Sequence, residues 1–520
     1  MALDREKNSS SVVRLRPAKA SDAQQVFAWR NDPWLSALGT TGRPVSWEEH
    51  GHWFQETIAG HRRRMFIILH NDLPIGQVRF DRVDNYTCEV SIYLAQEYTG
   101  RGLGVMALRE ACEWALSSWG VDRILARVRS NNLPSLSAFR KAGFSDSSES
   151  MDSSRQHHVE LQLTQPIRVP HNRLTFGNEE TQAVASVVSG GHWAAGPRLN
   201  ELESVLAERA HVAYCVGTGS GLAALRLALK GLGVAPGDEV IVPAYSCVAL
   251  ANATLALGAK VVPVDIRTFD WNLDPASARE AITTHTRATV LVNTFGAPAP
   301  IEALKDLGIP LVEDCAHGFG LKIGDTVLGS RGEAAVLSLH ATKLIGGGEG
   351  GAVLTSRRDL AEFVRSWRDY TDQCPDGTRL NDKMNDLEAA LAICQLRRLD
   401  AMLAARERAA LLYNESLTPL AQSTGAFRLP DPSKRRVWYR YVLEMASSSA
   451  FEVTRGLRKY GVRAESPVTD WRPIGTPPCP VADHAYERLV SLPLFPTLAL
   501  EEQEIVCNAL AAVIKGARHA

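Results

Sequence analysis

The chain has 520 residues, 45% of them apolar and 22% charged, well past the size at which one hydrophobic core stops growing, so at least two domains are expected. Its 57 basic and 58 acidic residues leave a formal charge of −1, which excludes a long-range field for nucleic acid or an anionic membrane and leaves any anion to a local site. The nine cysteines are scattered, odd in number and form no C-x-x-C pair, which argues for free thiols in a reducing cytoplasm. The stretch MALDREKNSSSVVRLRPAK lacks an apolar signal core and no run of about eighteen apolar residues occurs, so a soluble cytoplasmic protein is expected.

In chain order, MFIILH, PIGQVRFDRV and CEVSIYLA read as successive strands, and GVMALREACEWALSSWG carries apolar residues at helical spacing. Between them, AQEYTGRGLGVMALRE sets Gly100, Gly102 and Gly104 at a helix start. Glycines let backbone N–H groups approach an anion, and the helix end adds partial positive charge, so a diphosphate would fit; a plain turn would need no more. Further on, NNLPSLSAFRKAGF places an Asn and a Ser ahead of a helix that ends in Gly143 and Phe144.

Together these segments resemble motifs A and B of the GNAT acetyltransferases, over about residues 12–163. The resemblance implies an α+β fold that binds acetyl-CoA beside a splayed central strand, with Arg101, Gly102 and Gly104 cradling the pyrophosphate and Asn132 making a polar contact to the coenzyme. Glu89, on the central strand, would act as the base that frees an amine's lone pair; a solvent-facing strand glutamate is the alternative. Two residues depart from the pattern: Thr99 replaces a usual Gln or Arg, and Phe139 replaces the tyrosine that serves many members as general acid. WRNDP and SWEEHGHWF, with His50 and Trp53, look like the sugar-nucleotide N-acetyltransferases of the pseudaminic-acid type, where they flank the acceptor pocket; core packing on an amphipathic helix suits both residues equally.

The polar interval SDSSESMDSSRQHH, the short strand VELQL and the two prolines of TQPIRVPHNR mark a boundary. The expected division is a first domain over residues 1–165, a linker over 166–172 and a second domain over 173–520. In the second part, EVIVPAY, KVVPVDI, ATVLVNTF, PLVEDCA, AAVLSLH and GAVLT alternate with helical patterns such as GLAALRLALKGLG. That is the mark of βαβ units, an α/β fold with a mostly parallel sheet and helices on both faces.

Four segments there share one chemistry. CVGTGSGLAALRLAL puts Ser220 and Gly221 between a strand and a helix, a phosphate cradle of N–H groups. LVEDCAHGFG ends an apolar strand in Asp314 and sets His317 three residues on; a buried aspartate calls for a cation. SLHATKLIGGGEGG carries Ser338 and Lys343, with glycines after the lysine rather than before it, unlike a nucleotide P-loop, so they turn the chain sharply into the next strand. RLNDKMNDLEAAL supplies Asn381. A lysine, a carboxylate and a phosphate cradle are what pyridoxal phosphate requires.

With GPRLNELE, PAYSCVALANA, EDCAH, WYRYVLE and LVSLPLFP in the same order, residues from about 173 to 516 resemble the DegT/DnrJ/EryC-type sugar aminotransferases of the fold-type I class. The resemblance implies that Lys343 binds pyridoxal 5′-phosphate as a Schiff base and moves the substrate proton. Asp314 would pair with the ring nitrogen and His317 would lie near the ring's phenolic oxygen. Ser338, Ser220 and the backbone at Gly221 and Leu222 would hold the phosphate, and Cys247 stands where an aromatic often stacks on the ring. Asn381 would reach the neighbouring subunit's phosphate, so a homodimer is expected. It also implies a small C-terminal α+β part. No metal is called for.

The expectation from the two halves is a bifunctional enzyme. It would aminate a nucleotide-linked keto-deoxysugar, a 4-keto-6-deoxyhexose, with glutamate as donor, and then N-acetylate the amine with acetyl-CoA. The alternatives are a retired acetyltransferase half serving as a binding or dimerisation module, and an acceptor that is an amino acid or antibiotic precursor.

Overall fold

A computed structural model describes residues 13–38, 44–60, 62–84, 86–119, 121–147, 158–164, 166–371, 379–473 and 475–516. Most of the Ser-rich interval and Cys374 lie outside the described residues. The chain separates into two compact units, Met1–Ile167 and Arg168–Ala520. Residues 168 to 172, read from the sequence as linker, are tied into the second unit: Val169 is fully buried and bridges to Val462, and His171 meets the Ser491 hydroxyl at 2.9 Å.

The first unit runs β1 (Val13–Pro17), α1 (Ala23–Arg30), α2 (Pro33–Leu38), α3 (Trp47–Ala59), β2 (Arg63–His70), β3 (Leu73–Arg82), β4 (Thr87–Leu94), α4 (Leu103–Ser118), β5 (Arg123–Arg129), α5 (Leu133–Lys141), β6 (Ser145–Asp146) and β7 (His158–Thr164). Its seven-stranded sheet has the order β1-β2-β3-β4-β5-β7-β6. Every pair is antiparallel except β4 and β5, which run parallel and pair only where Thr87–Glu89 faces Arg123–Leu125. Beyond Glu89 the two strands part. Alternation sends Val78, Phe80, Val90, Ile124 and Ala126 to a core shared with α4, while Met65 and Ile67 meet Val26, Trp29 and Phe54 of α1 and α3 on the other face. Helix α3 starts where Ser46 and Glu49 cap each other reciprocally.

The second unit begins with α6 (Asn178–Gly190), α7 (Pro197–Ala210), β8 (Tyr214–Thr218), α8 (Gly221–Gly231), β9 (Glu239–Pro243), α9 (Ala249–Leu255), β10 (Lys260–Val264), α10 (Pro275–Glu280), β11 (Thr286–Val292) and β12 (Leu311–Asp314). A small hairpin, β13 (Lys322–Ile323) and β14 (Thr326–Val327), precedes β15 (Ala334–Ser338), β16 (Gly351–Thr355) and α11 (Arg358–Trp367). The sheet order is β10-β9-β11-β12-β15-β16-β8. The first five strands are parallel and β16 is antiparallel to both neighbours. Because both faces are covered, the strands are largely apolar: Ala334 and Val336 pack toward α8 and α11, Ala335 and Leu337 toward α7 and the helix α12 (Asp386–Arg397).

After α13 (Leu399–Thr424), a smaller α+β part forms from β17 (Phe427–Arg428), β18 (Tyr441–Met445), α14 (Ala450–Arg458), α15 (Pro480–Arg488), β19 (Leu489–Leu492) and α16 (Leu500–Gly516). Its core joins Tyr413, Tyr441, Leu443, Leu457, Val490 and Leu510. Among the described residues no helix is long and apolar enough to cross a membrane.

Candidate functional site

In an open parallel sheet the crevice beyond the carboxyl ends of the strands collects ligand-binding loops. Here β9, β11, β12 and β15 all end against one cavity of about 550 Å³. Its lining includes Gly221, Leu222, Tyr245, Cys247, Phe295, Asp314, His317, Ser338, Lys343, Arg440 and Trp471. Residues from seven separate segments of the sequence thus line one cavity.

Local structure places each of them. Ser220 is the N-cap of α8 and its hydroxyl accepts the Ala223 N–H at 3.1 Å, which leaves the first N–H groups, at Gly221 and Leu222, without helical partners. A Cβ on Gly221 would lie 2.8 Å from Cβ of Ser338, so only glycine lets this helix start come so close to the end of β15. The lysine sits in a loop closed by the Leu339 N–H to Gly350 carbonyl bond at 2.9 Å and the Ala341 N–H to Gly348 carbonyl bond at 2.8 Å. Gly348 and Gly350, at φ +89° and +126°, take backbone conformations closed to most side chains. The turn projects Lys343 into the cavity between two buried strands.

Asp314 is half-buried, opening to the cavity from the end of β12, and its carboxylate accepts the Ala316 N–H at 2.9 Å. Burial pushes its carboxyl above the usual range, opposed by that N–H and by Lys343. Burial, then Lys343 and Arg440, hold His317 well below the ordinary imidazole value, so it is neutral near pH 7. Its Nδ1 is buried without a partner, as is the Tyr245 hydroxyl, so two polar atoms at this site await a ligand or water. Cys247 is exposed at the cavity edge. Asn381 is exposed and does not line the cavity; the next residue, Asp382, accepts the Gly219 N–H at 2.7 Å beside the start of α8.

Three residues escaped the sequence reading. Tyr439 stacks on His317 with centroids 4.1 Å apart, and Lys343 Nζ lies 5.2 Å from the Tyr439 ring. Burial alone would push the Tyr439 phenol up, but Lys343, Arg440 and Arg406 outweigh it and leave the phenol below its ordinary value. Arg406, on α13, is buried and donates to the carbonyls of Tyr439 and Leu494 at 3.3 and 2.9 Å. The signal was available in part, since Arg440 interrupts an otherwise apolar run from Trp438 to Leu443, but nothing local tied it to Lys343.

In the first unit, Gly102 opens the sixteen-residue α4 at φ +79°, with no side chain capping the helix start. Arg101 is exposed beside the Tyr98 ring, and Gly104 is the second residue of the helix, facing Leu94. Glu89 is half-buried on β4, 3.7 Å from Arg127. Asn132 accepts the Ser135 N–H at 3.2 Å as the N-cap of α5, so its side-chain oxygen already has a structural bond. Phe139 is 3% exposed, edge-on to Phe144 at 5.0 Å in the core. His50 is 3% exposed among Phe27, Trp47, Trp53 and Phe54, with Nε2 3.0 Å from the Ala23 carbonyl. Packing among these rings surrounds His50.

The profile of the DegT/DnrJ/EryC1/StrS aminotransferase family matches residues 175–511, and that of a GNAT acetyltransferase domain matches residues 13–145. Among solved structures, the aminotransferase TlmJ from Streptoalloteichus hindustanus is similar at 27% identity and a TM-score of 0.63, over 68% of this chain and all 100% of that one. DesV of S. venezuelae, solved with a ketimine intermediate, is 30% identical at a TM-score of 0.62, over 67% of this chain and 99% of its own. NtdA from Bacillus subtilis, with bound cofactor PMP, is 26% identical at a TM-score of 0.60, over 65% of this chain and 83% of its own.

Proposed function

From a chain that belongs to the DegT/DnrJ/EryC1/StrS aminotransferase family and carries a GNAT acetyltransferase domain, we infer a two-step enzyme: it aminates a nucleotide-linked 4-keto-6-deoxy sugar with glutamate as donor and N-acetylates the product with acetyl-CoA. The observation that carries the reading is the meeting of Lys343, Asp314, Ser338 and the α8 start on one cavity. Residues 1–165 would be the acetyltransferase domain and 173–520 the aminotransferase domain, with 166–172 as the connection, of which 168–172 pack into the second unit.

The cavity suits pyridoxal phosphate. An amine and a carboxylate face it, a bare helix start adjoins Ser338, and the Nδ1 of His317 lacks a partner. That coenzyme supplies an electron-withdrawing ring conjugated to the reacting carbon. Lys343 would anchor it covalently, then take the proton from the substrate carbon and return it. Asp314 would hold a proton on the ring nitrogen. Ser338, Ser220 and the N–H groups of Gly221 and Leu222 would take the phosphate, and His317 and Cys247 would border the ring. Asn381, exposed beside the cradle yet outside the cavity, would serve the partner's site in a homodimer. The cytoplasm suits the free cysteines.

In the first unit the N–H groups at the start of α4, with Arg101, Gly102 and Gly104, would hold the coenzyme A diphosphate, Asn132 would border it, and Glu89 would take the proton of the attacking ammonium. A second reading, binding without catalysis, is favoured by Phe139, which is buried in the core and has no proton to give. Gly102→Val decides part of this. A β-branched side chain cannot hold φ +79°, so the turn must shift. Calorimetry with acetyl-CoA should show about a tenfold or greater loss of affinity, roughly 1.4 kcal/mol, and unchanged affinity would remove the diphosphate from this turn.

The overall proposal is tested by incubating the full chain with a panel of nucleotide-linked keto sugars, glutamate and acetyl-CoA. Mass spectrometry should find the amino sugar when acetyl-CoA is withheld and the acetamido sugar when it is present. Amination without acetylation would select the second reading.

A further inference from the structure

Strand alternation brings one more charged side chain to the cavity. Tyr441 and Leu443 of β18 join the core of the small α+β part, so Val442 faces the other way, against Tyr245 and Phe295 of the cavity wall. Ahead of it at the same period, Arg440 also lines the cavity, with its side chain 19% exposed. Its guanidinium lies 5.7 Å from the centroid of the Tyr439 ring, and Lys343 Nζ lies 5.2 Å from the same point. Two cations thus border one ring.

A guanidinium carries five N–H donors in a planar fork. Among the described residues the Arg440 side chain makes one hydrogen bond, from Nη1 to Nε2 of His171 at 3.4 Å, and that nitrogen already meets the Ser491 hydroxyl at 2.9 Å. The Glu465 carboxylate stops 3.9 Å from Arg440, past hydrogen-bond distance, and also approaches His171 at 3.4 Å. Both carboxylates of the cavity lining are engaged elsewhere. Asp470 accepts from Nε and Nη2 of Arg472 at 2.9 and 2.7 Å, and Asp314 accepts the Ala316 N–H at 2.9 Å. Most of the Arg440 fork is left for a ligand.

We propose that Arg440 binds the α-carboxylate of the amino donor. This rests on the reading above, in which Lys343 carries the coenzyme and glutamate supplies the amine. A carboxylate is planar and accepts two parallel N–H bonds from a guanidinium, so the two match in shape as well as charge. An α-amino acid holds that carboxylate on the carbon whose nitrogen is transferred, which requires an anion site close to the lysine. A sugar nucleotide has other needs. Its diphosphate stands the breadth of a sugar ring away from a 4-amino group and must lead the nucleoside out to solvent, whereas Arg440 is mostly covered and backed by His171. Arg440 therefore selects amino acids over simple amines as donors and leaves the keto sugar to other residues.

Full-length protein loaded with pyridoxal phosphate is titrated with 2-methyl-L-glutamate, which has no α-hydrogen to lose, so the change in coenzyme absorption reports binding alone. Arg440→Met, which keeps the stem and removes the charge, should weaken binding about 10- to 100-fold, the range for a hydrogen bond to a charged group. Arg440→Gln gives the same reading if the Met variant fails to fold, and Arg440→Lys, which restores the charge without the fork, should fall between. Hydroxylamine attacks the same coenzyme carbon but has no carboxylate, so it should react with the variants at close to the native rate. Calorimetry with uridine and thymidine diphosphates should also give native values. Native affinity for 2-methyl-L-glutamate in Arg440→Met would overturn the carboxylate site alone, as would a matching loss toward hydroxylamine or a loss confined to the diphosphates. Native protein that takes up no coenzyme, or takes it up and responds to neither L-glutamate nor its 2-methyl analogue, would overturn the underlying reading as well.

Discussion

Lys343→Ala is expected to lower amination by at least about 10³-fold, roughly 4 kcal/mol of barrier, while acetylation of a supplied amino sugar continues at the native rate. The size of the loss follows from what the amine does. It is both the covalent anchor and the base at the reacting carbon, and alanine replaces neither. The fold should survive, since Lys343 leaves a loop whose closure depends on backbone bonds from Leu339 and Ala341. Rates of amination and acetylation are measured separately on one preparation, with circular dichroism as the control. Amination at the native rate would place the chemistry elsewhere, and parallel loss of both activities would point to misfolding.

Asp314→Asn separates function from stability in opposite directions. Asparagine keeps the oxygen that accepts the Ala316 N–H but loses the charge that would hold a proton on the ring nitrogen. Leaving a buried cationic partner uncompensated costs about 3–5 kcal/mol, which converts to roughly 10²–10⁴-fold in amination rate. The coenzyme-free protein should behave otherwise. Burial raises the Asp314 carboxyl above its unfolded value, so between those two values the folded state binds more protons than the unfolded one, and stability falls as pH rises through that window. At neutral pH the charge therefore costs stability, and the neutral asparagine should raise the melting temperature of the coenzyme-free protein. A lower melting temperature at pH 7 would contradict the burial argument even if activity were lost.

The candidate site was legible where chemistry is written into short stretches. An apolar run ending in Asp314, a glycine cluster after Lys343 and a serine at the start of α8 each declare a local conformation. The first unit was harder to read. Asn132 was expected at the coenzyme, yet its oxygen caps α5, a use that any N-cap asparagine can have whatever else it touches. His50 was read two ways, as flanking a pocket and as packing, and it lies buried among four aromatic rings. The pairing of β4 with β5 for only three residues is invisible in either strand alone, because the alternating pattern continues in both beyond the point where they part, through Val90 and Ile92 in one and Ala126 and Val128 in the other.

By itself the sequence determined the elements and the two-unit plan. Side-chain periods of 2 and 3.6, caps and left-handed glycines are properties of neighbouring residues, and they persist whatever packs against them. Tertiary structure alone decided what surrounds the lysine. Tyr439 and Arg440 come from the approach to β18, Arg406 from α13 and His317 from the end of β12; sheet order and core packing bring them to one place. The charge balance of a buried group is a sum over such distant neighbours, each weighted by desolvation. No stretch of chain contains that sum.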